Sequence, residues 1–182
     1  MRVLGVGGLL SATRLRHLVS RALGVSPRDV TGLVIGPHDR DMVILRHTVR
    51  ISGIPAEKLL TPEQFDGIAG EVRRADETIL YMSQHATAFY APSAAIAALA
   101  DAIVRDTNSV LPVSVRLEGE YGQRGVAVSV PARVGARGAG QILEIALGDA
   151  ERGEFDRAAE AMRASVSRVG GWFDRTGGAR DA

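Results

Sequence analysis

The sequence predicts an α+β domain in which long packed helices cover an antiparallel sheet. Three observations carry that prediction. Apolar residues recur at helical spacing in several separate stretches. Between residues 111 and 147 the period drops to two, with short turns between the runs. The chain has 182 residues, enough to bury a sizeable core but no more than one domain usually holds.

Each element has a local reason. Arg2-Val3-Leu4-Gly5-Val6 reads as a short strand ending in glycine. Ser11 is an N-cap candidate for a first helix whose Leu15, Leu18, Val19, Ala22 and Leu23 share a face, and Gly24 stops it. Ser26-Pro27 marks a turn, Val30 to Ile35 a strand, Pro37 to Asp41 a loop, and Met42 to Ile51 a second extended segment. Thr61-Pro62-Glu63-Gln64 starts a helix: Thr61 caps, Pro62 takes the first helical position and Gln64 completes a capping box. Ile68, Val72, Ala75, Ile79 and Met82 keep one face of it apolar to about Gln84. An alanine-rich helix follows to Arg105, with Pro92 near its start.

The period then changes. Leu111, Val113, Val115 and Leu117 alternate, and Glu118 to Gly122 turns the chain. Val126, Val128 and Val130 alternate until Pro131 interrupts, and Gln141 to Leu147 is the expected third strand of a meander. A last helix uses Phe155, Ala159, Met162, Val166 and Val169. The domain is therefore drawn at 1–169, with 170–182 as a flexible tail.

Composition narrows the function. The formal net charge is +1 and no basic or acidic block stands out, which argues against nucleic acid or anionic membrane as partner. With no cysteine there is neither a disulfide nor a thiolate metal site, which suits a reducing, cytoplasmic setting. No stretch reads as a leader or a membrane span.

Chemistry-bearing residues lie at element ends. His38, in Gly36-Pro37-His38-Asp39-Arg40-Asp41-Met42, follows the apolar run Leu33-Val34-Ile35. It is either a solvated loop histidine or a general base that titrates near neutral pH. Arg14, on the first helix, is either solvated or a two-pronged clamp for a carboxylate. Together they suit a 2-hydroxy or 2-oxo acid, although spacing alone does not pair them. Ser11 is either a helix cap or a partner of His38. His17, His47 and His85 lack metal-ligand spacing, Glu118 and Glu120 flank a turn glycine, and Ala94 to Ala102 reads as close helix packing.

From Arg2 to about Val169 the chain resembles the C-terminal, substrate-binding half of the lactate/malate dehydrogenase family, above all its lactate-dehydrogenase-like bacterial malate dehydrogenases. The matching segments include Leu10 to Arg16, Val34-Ile35-Gly36-Pro37-His38, Ser52-Gly53-Ile54-Pro55, Ala88-Phe89-Tyr90-Ala91-Pro92 and Leu111 to Gly122. Ser129-Val130-Pro131 and Ile142-Leu143-Glu144-Ile145 follow in order. The resemblance implies that His38 is the proton relay, that Arg14 holds the substrate carboxylate, and that Ala88 closes the pocket beside the substrate. It implies malate or oxaloacetate as ligand and NAD as the cofactor of a completed enzyme.

The departures from the pattern matter as much. Ser11 stands where the family has the aspartate that orients the histidine, so the imidazolium loses a charge partner and its pKa is expected to fall. Asp39-Arg40 replaces Gly-Asp after the histidine. Gly5-Val6-Gly7-Gly8 imitates a dinucleotide fingerprint but lacks its third glycine, so no cofactor site is expected in this chain alone. Two functions remain open: the substrate half of a malate-dehydrogenase-like oxidoreductase, inactive by itself, or a non-enzymatic interaction module derived from one. A separate nucleotide-binding half, or a reading frame that extends upstream of Met1, is the expected way to complete it, and apolar surface left exposed without that half is expected to drive homo-oligomerisation.

Overall fold

A computed structural model of the chain describes residues 2–82 and 89–176. Among the described residues, four α-helices and two three-stranded sheets follow in the order α1 (Gly7–Leu23), β1 (Val30–Ile35), β2 (Val43–Ile51), β3 (Ile54–Pro55), α2 (Pro62–Met82), α3 (Tyr90–Val104), β4 (Ser109–Glu118), β5 (Arg124–Gly135), β6 (Gly138–Ile142) and α4 (Asp149–Thr176). All pairings are antiparallel, in the orders β1-β2-β3 and β4-β5-β6.

The β1–β2 hairpin lies in the middle of the molecule, which explains why its strands are apolar without alternation. Ile35, Val43 and Leu45 join one core, with the β4–β6 meander, α3 and α4. Val34, Met42 and Ile44 face the other way, into a core shared with Leu15 and Val19 of α1 and Phe65, Ile68 and Val72 of α2. A strand buried on both faces has no use for polar alternation. The loop between β1 and β2, which carries His38, therefore emerges from between two cores.

Capping chemistry sets α2 as expected. The Thr61 N–H donates to Gln64 Oε1 at 2.9 Å, and the Gln64 N–H donates back to Thr61 Oγ1 at 3.3 Å. Gly24 ends α1 in the left-handed conformation at φ 66°, its N–H returning to the Ser20 carbonyl. Only glycine does this without strain.

Four sequence expectations need correction. Ser11 is not a cap: α1 begins at Gly7, without a side-chain cap, and Ser11 lies inside it. The strand expected over Arg2 to Val6 is a single bridge, in which Gly5 exchanges two backbone hydrogen bonds with Ser114. Pro131 does not interrupt β5 but lies within it, opposite Pro112 of β4. Ser114 spends its backbone groups on Gly5, so Ser114 and Ser129 form a non-hydrogen-bonded pair, and two residues along the same holds for Pro112 and Pro131. Neither proline is asked for an N–H toward the other strand. The third strand of the meander is Gly138–Ile142 rather than 141–147. At the chain's other end, α4 runs past Gly170 to Thr176.

Candidate active site

The start of α1 is pressed against the sheet and the His38 loop, and glycine permits both contacts. A Cβ on Gly8 would lie 2.6 Å from Ser129 Cβ and 2.8 Å from the Pro112 carbonyl oxygen. One on Gly7 would lie 2.5 Å from His38 Cβ. The Gly8 N–H donates to Ser129 Oγ at 3.0 Å, and that hydroxyl pairs with Ser114 Oγ at 2.8 Å. Gly36 closes the other side, exchanging backbone hydrogen bonds with Ser129 while its own φ of 88° turns the chain into the loop. A single buried point on β5 thus fixes α1 and the His38 loop relative to each other.

Residues 7, 11 and 14 follow one face of α1. Ser11, 1% exposed, places Oγ 2.8 Å from His38 Nδ1. Of the two readings of Ser11, the geometry brings it to His38. Arg14 follows, its side chain 10% exposed, with Nη2 donating to Asp76 Oδ1 of α2 at 2.5 Å. Its other arm, Nη1, is buried and has no hydrogen-bond partner among the described residues. The same Asp76 carboxylate holds Oδ2 3.5 Å from His38 Nε2, an ion-pair contact when the ring is protonated. Arg14 and His38, which spacing could not pair, meet through one carboxylate.

Asp76 is the residue the sequence reading missed. A signal existed: it lies four residues after Val72 and eight after Ile68, an acid on the stripe that α2 buries. Its neighbour Glu77 takes an ion pair from Arg40, and the Arg73 guanidinium reaches the Met42 carbonyl at 3.4 Å. The two loop departures thereby acquire structural roles. Arg40 ties the loop to α2, and Asp39 closes it, accepting the Asp41 N–H at 2.8 Å.

Burial lowers the His38 pKa below 6.5 and Arg14 adds to that, while the charges of Asp76 and Asp39 push it up. The hydrogen bond from Arg14 holds Asp76 below its ordinary 3.8, against the effect of burial, and the charges of Arg14 and His38 reinforce it. A proton relay through Nε2 needs its other nitrogen protonated when the ring is neutral. A carboxylate at position 11 would enforce that tautomer. A hydroxyl accepts from Nδ1–H or donates to bare Nδ1, so Ser11 leaves it open.

Ala88 and His85 lie outside the described residues. His47 faces Glu151 of α4, Nδ1 to Oε1 3.2 Å. The Glu120 carboxylate accepts the Glu118 N–H at 2.7 Å, a contact that shapes the turn. Among the described residues no three His, Asp or Glu side chains group as a metal site. No helix of the described residues is long and apolar enough to cross a membrane.

Residues 9–170 match the family described as lactate/malate dehydrogenase, alpha/beta C-terminal domain. The chain belongs to the lactate/malate dehydrogenase family. It is 39% identical over 168 residues to malate dehydrogenase 1 of Anaeromyxobacter dehalogenans, covering 92% of this chain and 54% of that protein. It is 37% identical over 168 residues to a malate dehydrogenase of Methanosarcina mazei, covering 92% and 55%. Among solved structures, apo malate dehydrogenase from Picrophilus torridus aligns with a TM-score of 0.91 at 30% identity, over 95% of this chain and 55% of that one. Malate dehydrogenase from Cryptosporidium parvum aligns with a TM-score of 0.90 at 33% identity, over 93% and 55%. The chain spans about half the length of these relatives. Its fold is the C-terminal alpha/beta fold of the lactate/malate dehydrogenase family.

Proposed function

We propose that this chain supplies the substrate-binding and proton-transfer half of a malate-dehydrogenase-like oxidoreductase that interconverts a 2-hydroxy and a 2-oxo dicarboxylic acid. The observation that carries it is the juxtaposition of a buried arginine and a histidine, Arg14 and His38, on a chain of this family. Arg14 binds the substrate carboxylate; its unpartnered Nη1 beside Nη2 offers the two-pronged geometry that a carboxylate takes. His38 accepts the hydroxyl proton at Nε2 and returns it in reverse. Its lowered pKa keeps it neutral, hence basic, at neutral pH. Ser11 holds the ring through Nδ1.

NAD, implied by the family resemblance, does not fit the glycine-rich start of this chain. Gly5, Gly7 and Gly8 spend their missing side chains on Ser114, His38 and Ser129, and leave no cradle for a pyrophosphate. The residues described here account for the substrate carboxylate and the proton; a nucleotide-binding half carries the rest. The chain by itself is expected to show no turnover. Co-expressed with the nucleotide-binding half of a malate dehydrogenase, it is expected to form NADH in response to malate. That signal should be lost in His38→Ala and show a raised KM in Arg14→Ala. A stable complex of the two halves that turns over no 2-hydroxy acid would overturn the proposal.

A second reading, a non-catalytic module kept for its surface, is favoured by the carboxylate already seated on Arg14. Exposed apolar side chains around α3, Tyr90, Ile96 and Val104, support self-association under either reading. Light scattering at micromolar concentration should then report more than a monomer.

A further inference from the structure

The Asp76 carboxylate touches the same two groups that a 2-hydroxy acid must touch. Oδ1 accepts from Arg14 Nη2 at 2.5 Å, and Oδ2 lies 3.5 Å from His38 Nε2. A bound substrate would set a carboxylate oxygen where Oδ1 is and its hydroxyl where Oδ2 is. We propose that Asp76 is an internal competitor for the substrate: its side chain occupies the anion position of the site, and a substrate carboxylate must displace it to bind. The proposal rests on reading Arg14 as the carboxylate clamp.

Three further observations support it. Asp76 is held at the site from outside, because Glu77 pairs with Arg40 and Arg73 reaches the Met42 carbonyl, strapping α2 to the His38 loop. It can also leave: its side chain is 47% exposed, so it can turn into water without unpacking a core. And it uses only one arm of Arg14, Nη1 being left without a partner among the described residues, so it fills the clamp imperfectly. A two-pronged substrate carboxylate would satisfy both arms.

Another chemistry for these residues fails on access. Ser11, His38 and Asp76 lie in the order of a hydrolytic triad, hydroxyl to imidazole to carboxylate. At 1% exposure, Ser11 Oγ inside α1 is closed to any substrate carbonyl. The arrangement serves to hold His38 and to neutralise Arg14.

A charge-assisted hydrogen bond that must be broken before the ligand binds weakens binding by roughly ten- to a hundredfold. The test is calorimetric titration of L-malate into the wild-type chain, Asp76→Ala, Asp76→Asn, and the double variant Arg14→Ala/Asp76→Ala, with the fold of each checked by circular dichroism. Asp76→Ala should bind about ten- to a hundredfold more tightly than wild type, Asp76→Asn should fall between, and the double variant should lose the gain. In the same proteins the NMR titration of His38 should move to lower pH when the carboxylate is removed, a change that loss of packing alone would not give. Equal affinity of wild type and Asp76→Ala, or an unmoved His38 titration, would overturn the proposal while leaving the substrate reading intact. No binding by any of the proteins, with the His38 titration moved, would overturn the substrate reading and leave Asp76 nothing to compete with.

Discussion

Two helices reach His38, and they do so by opposite means. α1 approaches by close packing: Gly7 and Gly8 admit no side chain, Ser11 is buried, and the contact to Ser129 is a buried hydrogen bond. α2 approaches by charge: Asp76 and Glu77, both about half exposed, pair with Arg14 and Arg40. The α1 side fixes where the imidazole stands, because a packed interior tolerates few alternatives. The α2 side decides which charges surround it, and charges respond to pH and salt. Position and electrostatics of one residue are thus set by different elements and can be changed separately.

The sharpest way to break the α1 side is Gly8→Ala. The added methyl would lie within 2.6 Å of Ser129 Cβ and 2.8 Å of a backbone carbonyl, neither of which can swing away. Overpacking of this kind costs about 1–3 kcal/mol, read as a lower urea midpoint. Unchanged stability would show that α1 does not press on β5 as described.

Ser11→Asp tests whether the two sides are independent. A carboxylate at Nδ1 favours the protonated ring, so the His38 titration followed by NMR should move to higher pH. The Asp76 contacts on the far side of the ring should keep their own effect, and Asp76→Asn should still lower it in the Ser11→Asp background.

The pH dependence isolates the α2 side. Asp76 has a folded pKa below its ordinary 3.8, so its contribution to stability is complete above 3.8 and lost as pH falls through the lowered value. The stability difference between wild type and Asp76→Asn should widen as pH falls through the His38 titration, where the carboxylate favours the protonated ring, and shrink below 3.8 as Asp76 itself takes a proton. His38 adds a separate slope. Its folded pKa lies below 6.5, so its contribution is present above 6.5 and is lost as pH falls through the lowered value, a loss that His38→Gln should not show. A wild-type and Asp76→Asn difference that stayed level through acid would place the carboxylate away from Arg14 in solution.

The smallest effect belongs to Arg40→Ala. Its pair with Glu77 is largely exposed, so the cost in stability should stay below about 1 kcal/mol and fade in high salt. A larger loss would mean that the strap between α2 and the His38 loop is part of the fold's stability.

Much of the fold could be read along the chain because its causes are local. The capping box at Thr61 and Gln64 formed as expected, and the alternation in Val113, Val115 and Leu117 produced a strand. The misreadings came where a distant contact outweighed a local cue. Ser11 looked like a cap because serine commonly is one, yet the helix starts four residues earlier, where Gly7 and Gly8 let α1 approach the sheet. Pro131 looked like a break because proline lacks an N–H, yet its register opposite Pro112 asks for none. At the site, the positions of His38 and Arg14 were legible from a family pattern, as element ends with recognisable flanks. Asp76 was not, since one acid on a long amphipathic helix is an ordinary surface residue until its helix is packed.

By itself the sequence determined the element types, the two long helices, the meander and the membership of a dehydrogenase family, because these depend on periodicity, turn chemistry and short motifs. Only the tertiary structure decided that the glycines at 5, 7 and 8 are spacers against the chain's own sheet, and that Asp76 joins Arg14 to His38. The physical reason is range. Periodicity and capping act within a few residues, whereas a charge sixty-two positions from Arg14 in sequence and 2.5 Å away in space is created only by folding.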